Sequence, residues 1–493
     1  MRANQILLVL LLFSFNFINA QIQFEEVLPN PFEELNFCFI DFADIDGDSD
    51  LDVLISGETD LSTIKTQLYL NDGNGNYTLL PDTPFENVRL GKVSFVDVDN
   101  DQDQDVIISG NLDNTTNYNI SRLYLNNGSG NFTLDQDSTL NFDIEDGSTI
   151  KIYFVDIDND NDQDAIVTGY INTLITISNL YINDGNGNFN IDPNNPFTEL
   201  AFGDIAITDL DNDNDPDVFY NGRILVGDEL FLVSKKYIND GNGNFQEMTN
   251  SNIEKFEYFG LSISFSDIDD DDDNDLIISG ELETINGQFG GLATQLYTND
   301  GLSNFAFVPN APFIHVFNGD VAFADVDNDN DQDVLITGTN IDYERDIILY
   351  ENNGFGNFTS ASDLPFIPVS SSDIAFADVD NDTDLDVLIS GYNGSENSTK
   401  LYKNTSILNI DENIISLKNI SYPNPTTGII NFSNFQNGSN FIARISTIEG
   451  RLIEEVILST ENNFSIEIKG KKEIYIVELI SEGSKEVFKI IKY

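Results

Sequence analysis

The stretch DIDGDSDLD (residues 44–52) sets aspartate at every second position, Asp44, Asp46, Asp48, Asp50 and Asp52, with Gly47 between the second and third. The same ladder returns as Asp97, Asp99, Asp101, Asp103 and Asp105, then as Asp156, Asp158, Asp160, Asp162 and Asp164, and again as Asp209, Asp211, Asp213, Asp215 and Asp217. Three more follow: Asp267, Asp269, Asp271, Asp273 and Asp275; Asp325, Asp327, Asp329, Asp331 and Asp333; Asp378, Asp380, Asp382, Asp384 and Asp386. Successive ladders start 53, 59, 53, 58, 58 and 53 residues apart. Each follows a short apolar run such as VSFVD (93–97) and precedes another such as DVLISG (52–57), so each is a loop joining two strand-like segments.

A second element keeps the same period: LYLNDGNGNY (68–77), LYLNNGSGNF (123–132), LYINDGNGNF (180–189), KYINDGNGNF (236–245), LYTNDGLSNF (296–305) and LYENNGFGNF (349–358). Asn, Asp and Gly between aromatic and aliphatic flanks supply the positive-φ residues of a tight β-hairpin. Each repeat therefore holds four short strands, the content of a propeller blade, and no stretch shows the 3.6-residue period of a helical solenoid. The expected fold is all-β, a seven-bladed β-propeller over residues 21–408 followed by a small C-terminal β-sandwich.

The seventh copy stops at Leu401-Tyr402-Lys403-Asn404 without its last strand, while Ile22 to Glu26 precede the first ladder without a blade of their own. Phe24 stands 20 residues before Asp44, as Tyr77 stands before Asp97 and Phe358 before Asp378. The N-terminal strand is thus expected to complete blade seven, closing the ring and removing its exposed edges.

Five carboxylates in nine residues repel one another, at roughly 0.6 kcal/mol per adjacent pair ~7 Å apart in water and about 2.4 kcal/mol at an effective dielectric of 20. A hard divalent cation removes that penalty. Calcium takes six to eight oxygen ligands in flexible geometry, and alternate aspartates in a curled loop bring carboxylates to one centre. Position four is Gly47, Asn100, Asn159, Asn212, Asp270, Asn328 or Asn381, residues that tolerate a left-handed backbone. Neither His nor Cys accompanies the ladders, which argues against a transition metal. An EF-hand is also disfavoured, because Ile55 occupies the place of its bidentate glutamate.

The ladder together with the DVLISG-type strand resembles the FG-GAP or VCBS repeat family of calcium-loop propellers, over roughly residues 22–405. The resemblance implies up to seven structural Ca2+ ions. In the first copy it assigns carboxylate ligands to Asp44, Asp46, Asp48 and Asp52 and a backbone carbonyl to Asp50, and the other six copies match position by position. Position six, often Gly in the family, is Ser49, Gln102, Asn161, Asn214, Asp272, Asn330 or Thr383 here, least favourably at β-branched Thr383.

With 22 basic against 85 acidic residues, the net charge of −63 disfavours nucleic acid and anionic membranes as partners. Residues 1–20, with Arg2, the apolar ILLVLLLFSF run and a terminal Ala20, read as a secretory signal peptide, and no later segment is apolar enough to span a membrane. The single cysteine, Cys38, excludes an intramolecular disulfide and is expected in the core.

After a linker at 409–420 the composition changes. Residues 412–493 contain no Asp and carry nine Lys or Arg against ten Glu. Alternating runs such as FSIEI (464–468) and IYIVELI (474–480) suggest a small β-sandwich over 421–493. Tyr422-Pro423-Asn424-Pro425-Thr426, Gly428, the Ile448-Glu449-Gly450-Arg451 turn and Ile474-Tyr475-Ile476 resemble the type A sorting domain of the type IX secretion system. Lys472 and Glu473 stand where that family usually has Gly. The resemblance implies a bacterial protein that engages the type IX machinery and is delivered to the outer cell surface or released.

The ladders and hairpins share one face of the disc, and their lengths never vary. From first ladder Asp to hairpin Tyr the interval is 25, 27, 25, 28, 30, 25 and 24, so the length variation falls on the other face. A ligand is expected there, near Glu281–Leu292 and Asp135–Thr149. The favoured reading is a monomeric binding or adhesion module for an extracellular protein or glycan. The alternative is a calcium-dependent polysaccharide lyase using Lys, Tyr or Arg on the variable face. No nucleophile motif is present, and the lone histidine, His315, sits in an apolar run where a structural role is expected.

Overall fold

The computed structural model describes residues 22–406, apart from 113–117, 146–149, 173–174, 198–199, 228, 249–251, 258–259 and 284–289. Of the C-terminal part it describes 426, 429–433, 440–447, 452–459, 463–469, 471–472, 474–481 and 484–492. The signal segment 1–20 and the linker 409–420 lie outside the described residues, as do most of the SYPNPTTG opening and the whole 448–451 turn.

Residues Ile22–Ser406 form one compact unit of seven antiparallel sheets. Blade one runs Asn36–Ala43, Asp52–Glu58, Ile64–Leu70 and Thr78–Leu79, each strand paired with the next. Five further blades repeat this order, and in the second the strand Phe142–Ile144 adds to Asn119–Leu125. Blade seven supplies only Ser370–Ala377, Asp386–Tyr392 and Asn397–Asn404, and its fourth strand is Phe24–Glu26, paired in register Phe24 to Asn404 and Glu26 to Tyr402. The ring is closed by the two ends of the repeat region, as the spacing of Phe24 from Asp44 anticipates.

The second strand of each blade explains its unbroken apolar run. Asp52–Glu58, Asp105–Asn111 and Asp333–Thr339 are buried at every position, because a middle strand of a blade has a neighbouring blade on each side. The apolar core is consequently divided among the seams. One cluster joins Leu35, Cys38 and Tyr69 of blade one to Val379, Leu388 and Leu401 of blade seven, and the next joins Ile45 and Leu54 to Val93 and Val106 of blade two. Cys38 is buried in the first of these, and burial raises its thiol pKa to about 12, which leaves it unreactive.

Blade four departs from its neighbours. Its second and third strands, Asp217–Val226 and Glu229–Asn239, are the longest of the propeller and carry the exposed Val226 and Phe231 to the far face. The C-terminal unit holds a four-stranded antiparallel sheet of Leu452–Ser459, Asn440–Thr447, Ile474–Ser481 and Ser484–Ile491, with a two-stranded sheet of Ile429–Ser433 and Asn463–Glu467. Ile430 and Ile466 on the smaller sheet and Ala443, Ile445, Tyr475 and Val477 on the larger are buried.

Candidate metal loops and the two faces

Each ladder is curled by its own first aspartate. Asp44 accepts from the backbone N–H groups of Gly47 (2.8 Å) and Ser49 (2.9 Å), and Asp209 accepts from Asn212 and Asn214 in the same way. The fifth aspartate accepts from the N–H two residues on, as Asp48 does from Asp50 (3.0 Å). These bonds require left-handed backbone at positions four and six, found at Gly47 and Ser49, Asn100 and Gln102, and so on to Asn381 and Thr383. Position four is as the residue types imply. Position six adopts φ near +70° in six of the copies and +80° at Thr383, where a β-branched side chain is strained.

The ninth aspartate is the inner anchor. Asp52 is 2% exposed and accepts from Ile45 N (3.3 Å) and Asn71 N (2.8 Å), so it ties the start of its ladder to its own hairpin. The same pair of bonds recurs at Asp105, Asp164, Asp217, Asp275, Asp333 and Asp386. Burial, against these two donors, pushes the ninth-position carboxyls up to about 7, and Asp333 to about 8.

At the third position every ladder leaves a vacancy in its hydrogen bonding. One buried oxygen of Asp46, Asp99, Asp158, Asp211, Asp269, Asp327 and Asp380 meets no donor. A buried acceptor with no donor costs ~1–3 kcal/mol, more if charged. Burial and the adjacent aspartates raise these carboxyls above the ordinary range, as at Asp46 beside Asp48 and Asp44. Oxygens of Asp44, Asp46 and Asp48 lie within 4.8 Å of one another, as do those of Asp97, Asp99 and Asp105 and of Asp267, Asp269 and Asp271. The donor set is all oxygen, anionic and clustered on the first, third, fifth and ninth positions. It fits a hard cation of calcium type and offers nothing to a soft one.

The seventh aspartate turns away from that cluster. Its carboxylate lies against the first hairpin glycine, so that a Cβ on Gly73 would meet Asp50 oxygens at 2.5 Å, and Gly128, Gly185, Gly241, Gly301 and Gly354 stand equally close to their own ladders. Ladder and hairpin recur together because they interlock here. The same carboxylate accepts from position four of the preceding blade: Asn159 to Asp215 (2.8 Å), Asn381 to Asp50 (3.1 Å), and likewise Asn100 to Asp162, Asn212 to Asp273 and Asn328 to Asp384. Gly47 and Asp270 break this series, and Asp270 instead faces Asp331 as a like charge. Of the five aspartates per copy, four face the loop interior and the fifth binds blade to blade with its side chain.

Sequence reasoning treated the asparagine that opens each hairpin as a turn residue, and its principal role escaped notice. Asn71 Nδ2 donates to Val379 O of the preceding blade (2.8 Å), and Asn126, Asn183, Asn239, Asn299, Asn352 and Asn404 repeat the bond around the ring. A Pro-Phe pair was also passed over. Phe32, Phe85, Phe197, Phe313 and Phe366 each stand 12 residues before a ladder and pack edge-on to the hairpin tyrosine, with ring centroids 5.0–5.1 Å apart. That fixed interval was the available signal.

On the opposite face, a cleft of about 240 Å³ opens between blades five and six, lined by Glu281, Leu292, Phe317, Asn340, Ile341 and Tyr343. Tyr343 is 75% and Ile341 61% exposed. The cleft borders the long segment Glu281–Leu292, whose tip at 284–289 lies outside the described residues, as does 146–149 of the other long segment. His315 is structural: its Nδ1 accepts from Thr294 N (3.0 Å), the bond that Asn87 Oδ1 makes with Thr66 N in blade one.

Family models match in two places. An FG-GAP-like repeat matches residues 44–108, 97–167 and 325–389, and a secretion system C-terminal sorting domain matches residues 420–493. The chain thus carries FG-GAP-like repeats in a seven-bladed propeller and ends in a sorting domain that marks it for type IX export, to the cell surface or beyond. No helix among the described residues is long and apolar enough to cross a membrane. A search of curated proteins gives no match. Among solved structures, a six-bladed β-propeller fungal lectin from Aleuria aurantia is similar at 8% identity and TM-score 0.34, covering 68% of this chain and 98% of the lectin. A fructofuranosidase from Schwanniomyces occidentalis in complex with fructose is similar at 8% identity and TM-score 0.27, covering 76% and 87%.

Proposed function

We propose that this exported propeller of FG-GAP-like repeats is a calcium-stabilised binding module, with structural ions on the ladder face and an extracellular protein or glycan ligand on the opposite face. The observation that supports the calcium reading is the buried third-position oxygen without a donor, repeated in all seven ladders. A repeated vacancy of one geometry calls for one missing partner, and a cation is the partner a carboxylate cluster accepts. In the first copy Asp44, Asp46, Asp48 and Asp52 would hold the ion, with the backbone carbonyl of Asp50 completing the set. Bound calcium supplies the positive charge that lets the loop stay curled. The chain's own residues do the rest: the first aspartate sets the turn, the ninth anchors it to the hairpin, and the seventh links it to the next blade.

Such ions stabilise the folded chain by mass action, by about 2.7 kcal/mol per site at a free concentration one hundred times Kd. Thermal unfolding of the mature protein in calcium and in chelator tests this. A melting temperature that does not fall with chelator removes calcium from the reading.

For the ligand, the support is the cleft between blades five and six, where an exposed tyrosine face stands beside the longest interval of the repeat series. An exposed aromatic ring offers stacking area to a sugar or an anchor to a protein. Screening the wild-type chain and Tyr343→Ala on glycan arrays and adherent cells, with a lyase assay in parallel, tests the site. Equal binding by both chains places the ligand elsewhere.

A further inference from the structure

The residue between the hairpin tyrosine and its asparagine is Leu70, Leu125, Ile182, Ile238, Thr298, Glu351 and Lys403 in blades one to seven. Five of these are uncharged, and the last two carry opposite charges. The position matters because it lies beside the third and fifth aspartates of its own ladder. Lys403 places Nζ 2.8 Å from Oδ2 of Asp380, the third-position aspartate of blade seven, and both side chains are three-quarters covered. The ammonium also donates to Asn74 O (2.5 Å) in the hairpin of blade one, so it spans the seam at which the ring closes. The other oxygen of Asp380 remains buried without a donor, as in the other six ladders. Lys403 therefore does not fill the loop. It sits on the outer oxygen of a carboxylate whose inner oxygen faces the loop.

One blade earlier the charge is reversed. Glu351 lies close enough to Asp327 and Asp329 for the carboxylates to repel one another. Blade seven carries a second, independent handicap in Thr383, whose left-handed backbone is the most strained of the position-six residues.

We infer that the seven calcium loops are graded, with ladder seven weakest because Lys403 acts there as a resident cation, and ladder six strongest because Glu351 adds a carboxylate. The inference rests on the calcium reading and extends it to the residue that ranks the sites. An ammonium about 5 Å from a divalent ion weakens binding by roughly tenfold at the dielectric of water. It also relieves part of the repulsion within ladder seven and holds it to Asn74, so the closing seam keeps its geometry when its ion leaves.

The test is equilibrium dialysis of the mature chain against buffered free calcium, from about 1 mM downward, with bound calcium counted per chain. Wild type should lose one ion at roughly tenfold higher free calcium than the remainder. Lys403→Leu, which installs the residue of blades one and two, should shift that first loss into the main transition. Lys403→Ile, the residue of blades three and four, serves if the leucine variant does not fold. The reciprocal Leu70→Lys should create a second early loss. An unchanged profile on either exchange overturns the grading. A wild-type chain that holds no calcium at about 1 mM instead overturns the calcium reading itself, so the two failures are distinct.

Discussion

On one face of the disc, seven nine-residue loops repeat one turn, one donorless oxygen and one asparagine bond to the neighbouring blade; on the other face, no two blades are joined alike. Blade two adds the strand Phe142–Ile144, blade four extends a hairpin to Val226, and blade six makes the short Asn340–Glu344 turn that presents Tyr343. The ladder face cannot drift, because each residue there serves two blades at once. Asp50 holds Asn381 of the preceding ladder and excludes any side chain from Gly73 of its own hairpin. A substitution in the turn between second and third strands touches one blade alone.

That contrast can be broken most severely at the seam. Removing residues 22–27 should cost about 4–6 kcal/mol, because Ile22 and Phe24, each 6% exposed, leave the core and the edge of Asn397–Asn404 is uncovered. The check is thermal unfolding, and an unaltered melting temperature would refute closure by this strand. Next in size is a single asparagine bond. Asn126→Ala should destabilise by ~1–3 kcal/mol by leaving Ile45 O and Gln104 O without that donor, measured by urea denaturation at saturating calcium.

A sharper probe is Asp158→Asn, which keeps the shape of ladder three and removes a charge. It should lower stability in calcium and leave it equal or higher in chelator, where the wild-type carboxylates repel. A variant destabilised equally in both conditions would assign Asp158 a role unrelated to a cation. Relieving strain gives a smaller effect of the opposite sign: Thr383→Gly should raise stability by about 1 kcal/mol, visible as a higher denaturation midpoint. Smallest of all, Tyr343→Ala on the far face should change stability by less than about 0.5 kcal/mol while abolishing ligand capture.

The ladder face was legible in the sequence because its chemistry is periodic and local. Alternating aspartates, left-handed residues at position four and the Tyr-to-aromatic interval all lie within one repeat, and the missing strand of blade seven was found by counting from Phe24. What escaped were contacts made across a seam. Asn71 reads as a turn residue until Val379 is placed beside it, and Asp50 reads as one more ligand until Asn381 and Gly73 occupy its carboxylate. Lys403 looked unremarkable for the same reason, since nothing near it in sequence announces Asp380 or Asn74. On the far face, interval counting located the variable segments but not their form. An interval of 28 residues in blade four became a longer strand pair rather than a loop.

The closing strand also sets a schedule. Gln23 N bonds Ser406 Oγ across 383 residues of sequence, among the most distant contacts of the propeller, whereas the first three strands of every blade pair locally. A chain threaded through a membrane N-terminus first can assemble its early blades one after another as each emerges. The strand Phe24–Glu26 must then wait beside an unfinished edge until Asn397–Asn404 arrives. Ring closure is therefore the last and slowest contact to form, and the interval before it is when the exposed edge is open to pairing with another chain.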